Sequence, residues 1–396
     1  MVAQPVVAGV PSRRPRLGSL PPLSLYVHLP WCLRKCPYCD FNSHEAGAEV
    51  PESRYLDALR ADLEAAVPQV WGRVVQTVFI GGGTPSLFSA RSIDRLLGDV
   101  RALLRLAADA EVTLEANPGT FERARFEGYR DAGVNRLSLG VQSFDDDRLR
   151  ALGRVHDRGQ ALAAAQAAAR LFPTFNLDLM AALPGQDLPG LRSDLAQALA
   201  LAPPHLSYYA LTLEPNTLFA SRPPAGLPDE DTAAEMQAWI EQATAAAGLH
   251  RYEVSAYARV GHRARHNLNY WTFGDYLGVG AGAHSKLSFA DRIVRQARLR
   301  HPRRYMDGAL AGAAIEEERT LDAGDLPFEF MLNALRLVEG VPVARFAERT
   351  GMTLAAIARP IRMAAERGLL DPEPSALRPT PLGLRFLNDL QQLFLT

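Results

Sequence analysis

Six short runs rich in apolar or β-branched residues recur along the first half of the chain, at 23–29, 77–80, 112–116, 136–141, 175–180 and 206–213. Most are closed by Gly, Pro or Asn. Longer segments with helical periodicity separate them. Residues 89–106 keep Ile93, Leu96, Leu97, Val100, Leu103 and Leu104 on one helical face. Segments 121–132, 159–171 and 191–201 serve as further crossovers. Strand alternating with helix dictates parallel pairing through right-handed connections, so the expectation is an α/β chain built on an open, partial (β/α)6 barrel. Chemistry in such barrels sits at the C-terminal ends of the strands. The unusual residues fall there. The cysteines follow the first run, Gly81, Gly82, Gly83 and Thr84 the second, Glu115 and Asn117 close the third, and Gln142 and Ser143 the fourth. Asp178 lies in the fifth and Ala210 in the sixth.

The chain has only three cysteines, all between positions 32 and 39. No disulfide framework can organise the fold, and three close thiols read as a metal or cluster site. The motif is Cys32-Leu-Arg-Lys-Cys36-Pro-Tyr-Cys39, or CxxxCxxC. Three thiolates can hold three irons of a 4Fe–4S cubane and leave the fourth iron open for the amino and carboxylate groups of S-adenosylmethionine (SAM). The competing reading is a structural zinc site with His28 or His44 as fourth ligand, although such sites more often pair two distant CxxC elements.

With 396 residues, 47% apolar and 22% charged, the composition is that of an ordinary globular protein of two or three domains. A formal net charge of -1 gives no pointer to nucleic acid or anionic membrane, and no apolar run approaches the roughly 18 residues of a membrane span. The first 20 residues are Arg- and Pro-containing, lack acidic residues and carry no secretory apolar stretch. They read as a flexible tail, with a transit peptide as the alternative, and the chain as cytoplasmic. The core is expected over 21–250, including a long helix at 229–247. A connecting region over 251–320 follows, with a strand-like run at 252–257. Helical segments at 328–338, 343–349 and 354–366 and a final helix from Leu382 suggest a mainly helical, winged-helix-like domain over 321–396. That segment has eight Arg, no Lys and nine acidic residues, which disfavours a DNA reader.

The segments Tyr26-Val-His-Leu-Pro-Trp-Cys32 through Cys39-Asp-Phe-Asn-Ser-His44, Phe79-Ile-Gly-Gly-Gly-Thr-Pro85, Leu114-Glu-Ala-Asn-Pro118, Leu139-Gly-Val-Gln-Ser-Phe144, Leu177-Asp-Leu-Met180 and Leu183-Pro-Gly-Gln186 resemble, in order, a radical SAM protein. The branch they resemble contains oxygen-independent coproporphyrinogen III dehydrogenase and the heme chaperone HemW, and His266-Asn-Leu-Asn-Tyr-Trp271 resembles the HNxxYW signature of the HemW group. The resemblance runs from about Leu23 to the C-terminus. It implies a cluster on Cys32, Cys36 and Cys39. It implies a first SAM approached by Tyr26, Tyr38, Gly82, Gly83, Thr84, Glu115 and the backbone of Ala210, and places Gln142, Arg154 and Asp178 around a second.

Two departures from the dehydrogenase favour the heme-chaperone branch. Phe41 stands where the dehydrogenase has a fourth cysteine, and the first run begins near Leu23, with no room for that enzyme's long N-terminal segment. The resemblance thus implies heme binding and delivery to acceptor hemoproteins, respiratory ones among them, rather than coproporphyrinogen decarboxylation. A radical enzyme acting on a tetrapyrrole is the runner-up, and a redox-sensing regulator the third reading. His266 is a candidate axial ligand, Tyr270 and Trp271 offer flat apolar surface, and Arg259, Arg263, Arg265 and the run 292–304 could meet propionates. The alternative for His266 is a hydrogen bond to a neighbouring loop. Cluster assembly is also compatible with a homodimer.

Overall fold

A computed structural model describes residues 15–47, 49–119 and 123–395. The expected tail lies in part outside them, as do the first residues of the expected 121–132 helix. Six parallel strands form the centre, β1 (Leu23–Leu29), β4 (Val74–Gly82), β5 (Arg105–Ala116), β6 (Arg136–Gln142), β7 (Thr174–Ala181) and β8 (His205–Ala210). They neighbour one another in chain order, each parallel to the next. Two short strands, β2 (Trp31–Cys32) and β3 (His44–Glu45), pair with each other just beyond β1.

The central strands read as nearly continuous apolar runs because helices cover the sheet from outside. Leu23, Leu25, Val27 and Leu29 of β1 are all buried. The crossover helices are Glu52–Val70, Ala90–Leu103, Phe126–Ala132, Arg158–Leu171 and Leu188–Ala200. The Ala-rich Arg158–Leu171 buries Ala161, Ala164, Ala165 and Ala168, small side chains that let it lie close to the sheet. Its start is fixed by a capping box, in which Asp157 Oδ1 accepts from the Gln160 amide (2.8 Å) and Gln160 Oε1 accepts from the Asp157 amide (3.0 Å). The 229–247 expectation is met by the helix Glu230–Ala246, capped by Asp229.

The sheet is larger than the sequence reading. The run at 206–213 leaves the sheet after Ala210, and 252–257 is broken into β9 (His250–Arg251) and β10 (Ala256–Ala258), which extend the β8 edge. On the other edge, β11 (Asp275–Val279) pairs parallel to β1, followed by antiparallel β12 (His284–Ser288), β13 (Ile293–Arg298) and β14 (Ile315–Thr320). Their charges conceal them in the sequence. Lys286 and Arg298 are 1% exposed, held by Asp275 (3.0 Å) and Asp62 (3.2 Å).

From Leu321 a second apolar core forms around Phe330, Phe346, Leu390 and Phe394, and takes in Leu17, whose amide donates to the Ala290 carbonyl (3.0 Å). Its helices are Leu326–Ala334, Ala344–Thr350, Ala358–Glu366, Pro381–Arg385 and Leu387–Gln392, and a two-stranded ladder joins β15 (Val341–Pro342) to β16 (Ala376–Leu377). Helices with one small ladder make the winged-helix-like arrangement. Among the described residues no helix is long and apolar enough to cross a membrane.

Candidate functional site

Beyond β1 the chain makes one loop that carries all three cysteines. The Trp31↔His44 and Cys32↔Glu45 pairing closes it at the base, a turn brings the Cys39 amide to the Cys36 carbonyl (3.1 Å), and Lys35 Nζ braces it through the carbonyls of Phe41 (3.3 Å) and Ser43 (3.4 Å). All three thiols are half-buried and free, and they line one cavity of about 420 Å³ at the C-terminal ends of the strands. Burial pushes the Cys32 thiol up to about 11, against a hydrogen bond with Thr84. Soft sulfur donors spaced around a loop suit a multi-iron cluster, one thiolate per iron.

The turn after β4 forms the next wall. The Gly83 amide donates to the Leu29 carbonyl (2.8 Å) and the Thr84 amide to the Trp31 carbonyl (2.7 Å). A Cβ on Gly83 would lie 2.6 Å from the Trp31 carbonyl oxygen, so only glycine fits against the cysteine loop here. The Gly82 amide donates to Glu115 Oε2 (3.1 Å). Glu115 sits at the end of β5, where burial first, and then the nearby Asp178, push its carboxyl up to about 8. Asp178 accepts from Ser138 Oγ (2.9 Å) and Asn176 Nδ2 (2.8 Å), and burial raises it as well.

Arg154 ties the strand ends to the cysteine loop. Its Nη2 donates to Asn117 Oδ1 (2.6 Å) and the Gly140 carbonyl (2.7 Å), and Nη1 lies 3.7 Å from Cys36 Sγ. Its Nε is buried with no hydrogen-bond partner among the described residues, a donor left over for a ligand. Asn117 also donates to Thr84 Oγ1 (3.1 Å). Tyr38 packs against Phe219, and Gln142 adopts φ 68° where β6 ends. With Ala210 these residues line the same cavity as the cysteines, Gly82, Gly83, Thr84, Glu115 and Asp178.

Two expected residues lie elsewhere. Tyr26 lines a second, larger cavity of about 770 Å³, with its hydroxyl 2.9 Å from His28 Nδ1. The two cavities share Asp40, Phe41, Gly82 and Glu115 as a common wall. His266 lines neither. It is 1% exposed, its Nδ1 lies 2.7 Å from Thr77 Oγ1 and its Nε2 2.9 Å from the Tyr270 hydroxyl. Burial pulls its imidazole down to about 3. Both ring nitrogens are thus engaged inside the protein, which is the hydrogen-bonding alternative rather than an open ligand position. Arg263 pairs with Glu339 (2.5 Å) and Arg265 with Asp109 (3.2 Å), away from both cavities. Tyr270 and Trp271 do line the second cavity, with Arg336 stacked over the Trp271 ring at 4.3 Å. Of the rest of that wall, Arg295 and Arg300 fall in the run 292–304 marked in the sequence reading, which missed Tyr276 and His284, supplied by β11 and β12. The sequence signal for these two was the density of special residues over 261–286, with Gly278, Gly280 and Gly282 ahead of His284.

Residues 26–195 match the Radical SAM superfamily, and residues 321–386 the HemN C-terminal domain. The chain is 50% identical over 378 residues to the protein named heme chaperone HemW of Escherichia coli strain K12, covering 95% of this chain and 99% of that one. To the protein of the same name in Bacillus subtilis strain 168 it is 34% identical over 379 residues, covering 94% and 99%. Among solved structures, that of coproporphyrinogen III oxidase (HemN) from Escherichia coli matches with a TM-score of 0.81 at 23% identity, covering 95% of this chain and 91% of that one, a likeness of fold. The superfamily match over 26–195 and the identity over nearly the whole length place this chain in the HemW family of the radical SAM superfamily.

Proposed function

We propose that this protein is a cytoplasmic heme chaperone, a heme-binding radical SAM protein that passes heme to acceptor hemoproteins. Cys32, Cys36 and Cys39 would hold a 4Fe–4S cluster, and SAM would sit beside it against Gly82, Gly83, Thr84 and Ala210. Bound there, the cluster supplies one-electron chemistry to SAM. The chain's own residues do the positioning. The glycine turn admits a ligand close to the backbone, Arg154 offers a spare donor, and Glu115 holds a proton near neutral pH between the two cavities. The observation that carries the heme part of the reading is the second cavity. Its volume of about 770 Å³ falls within the roughly 300–1,000 Å³ of small-molecule sites, it has aromatic walls, and it abuts the cluster cavity.

The test is an anaerobic incubation of cluster-reconstituted protein with SAM, a strong reductant and either hemin or coproporphyrinogen, with products read by mass. Stable hemin binding with unaltered coproporphyrinogen supports the chaperone. A decarboxylated or methylated tetrapyrrole would make the protein a radical enzyme on that substrate and displace the proposal.

A further inference from the structure

We infer that His284 is the side chain that takes the iron of a metallotetrapyrrole in the second cavity, with Arg300 at its rim receiving a propionate. The inference rests on the heme-binding reading above and names the residues that would carry it out.

Two imidazoles line this cavity, His28 and His284. His28 is committed, with Nδ1 2.9 Å from the Tyr26 hydroxyl and Nε2 2.9 Å from the Asn42 carbonyl. His284 is exposed, and its ring makes no hydrogen bond among the described residues. It is the imidazole whose one donor lone pair is uncommitted, and a neutral imidazole is a common iron ligand.

The backbone under it is rigid. His284 opens β12 and pairs with Ala297 of β13, and the neighbouring Ala283 carbonyl accepts from the Arg298 amide (2.8 Å). On the other side a Cβ on Gly278 would fall 2.0 Å from the His284 carbonyl, so glycine lets β11 close against it. A ligand on a strand between two packed neighbours holds its aim better than one on a loop. The residue directly across the ladder is small, and Ala297 itself lines the cavity, leaving space over the ring.

The surroundings suit a flat dianion with an apolar face. Trp271, Phe273 and Tyr276 give the cavity aromatic walls, and Phe41, 59% exposed, stands on the wall shared with the cluster cavity. Arg295, Arg300 and Glu317 all act electrostatically on His284. Arg295 already pairs with Glu329 and the Tyr276 hydroxyl. The Arg300 guanidinium is exposed and makes no ion pair among the described residues, which leaves it for a carboxylate. Glu316 and Glu317 also line the cavity, Glu317 beside Ala297 in the ladder, and repel a carboxylate, which leaves Arg300 as the group that receives a propionate.

The test is a titration of hemin, and separately of iron-free protoporphyrin IX, into cluster-loaded protein, read by Soret absorption and by electron paramagnetic resonance of the ferric heme. His284→Ala should lower hemin affinity by at least the roughly 10–100-fold that losing a metal's outer-shell partner costs. It should also abolish the histidine-ligated spectrum, which added imidazole restores, and leave protoporphyrin IX binding and cluster absorbance unchanged. Arg300→Ala should weaken both porphyrins. Wild-type hemin affinity and spectrum in His284→Ala overturn the assignment and leave the heme reading standing. Failure of the wild-type protein to bind hemin at all overturns the heme reading, and the assignment with it.

Discussion

Glu115 should make the protein lose stability as pH rises, and the size of that loss follows from its surroundings. The carboxyl is raised from 4.5 to about 8, through burial and the charge of Asp178, while it accepts from the Gly82 amide. A group whose folded pKa lies above its unfolded one contributes its stability fully below the unfolded value and loses it up to the folded one. Between pH 5 and pH 8 the unfolded chain has already released this proton and the folded protein has not. Three pH units at about 1.4 kcal/mol each give an upper bound of about 4 kcal/mol. Glu115 is only partly buried at the cavity wall, and water reaching it lowers the expectation to roughly 2–4 kcal/mol. Glu115→Gln keeps an acceptor for the Gly82 amide and cannot ionise. In urea titrations of the cluster-free protein the variant should gain that amount on wild type between pH 5 and pH 8, and Asp178→Asn should reduce the effect without abolishing it, because burial is the larger cause. Parallel stability profiles for Glu115→Gln and wild type over that range would refute the reasoning.

Three other outcomes follow from the packing. Gly83→Ala brings a methyl to 2.6 Å from the Trp31 carbonyl oxygen, and should cost about 1–3 kcal/mol in a urea titration and weaken SAM binding in calorimetry. His266→Ala empties a buried site and takes the Tyr270 hydroxyl's partner, while Thr77 keeps Ser24 (2.8 Å), a loss of about 2–5 kcal/mol at pH 7. The imidazole is held down to about 3, so its stability is present above about 6.5 and fades as pH falls toward 3. The deficit should therefore shrink by about 2 kcal/mol at pH 5, while hemin spectra stay those of wild type. Lys286→Met leaves the buried Asp275 with Arg73 (2.9 Å) as its remaining cation, and should cost about 3–5 kcal/mol with no change in cluster absorbance.

Much of the cluster site was legible in the sequence because parallel barrels place function at strand ends. Once the runs at 23–29, 77–80, 112–116 and 136–141 are recognised as strands, the cysteines, Gly82 to Thr84, Glu115 and Gln142 must gather at one rim, and they line one cavity. Asn117 was noted as closing its run, yet its bridge between Thr84 and Arg154 depends on side-chain directions that no periodicity encodes. Tyr26 alternates to the face that looks into the second cavity. His266 stands in the sequence beside two aromatics, and in the fold Tyr270 together with Phe79 and Thr77 closes over it.

The sequence alone determined the strand–helix alternation, the cysteine loop that follows the first strand and the helical tail, because each is encoded in local spacing that survives without partners. Only the tertiary structure decided which histidine is open. His266 is closed by Thr77, 189 residues away in the chain, and His284 is left free on a strand recognised as one only when it pairs with its neighbours. Ion pairs such as Lys286 with Asp275 allow charged residues into that part of the sheet, and the resulting pattern of polar and apolar positions carries no strand period to read.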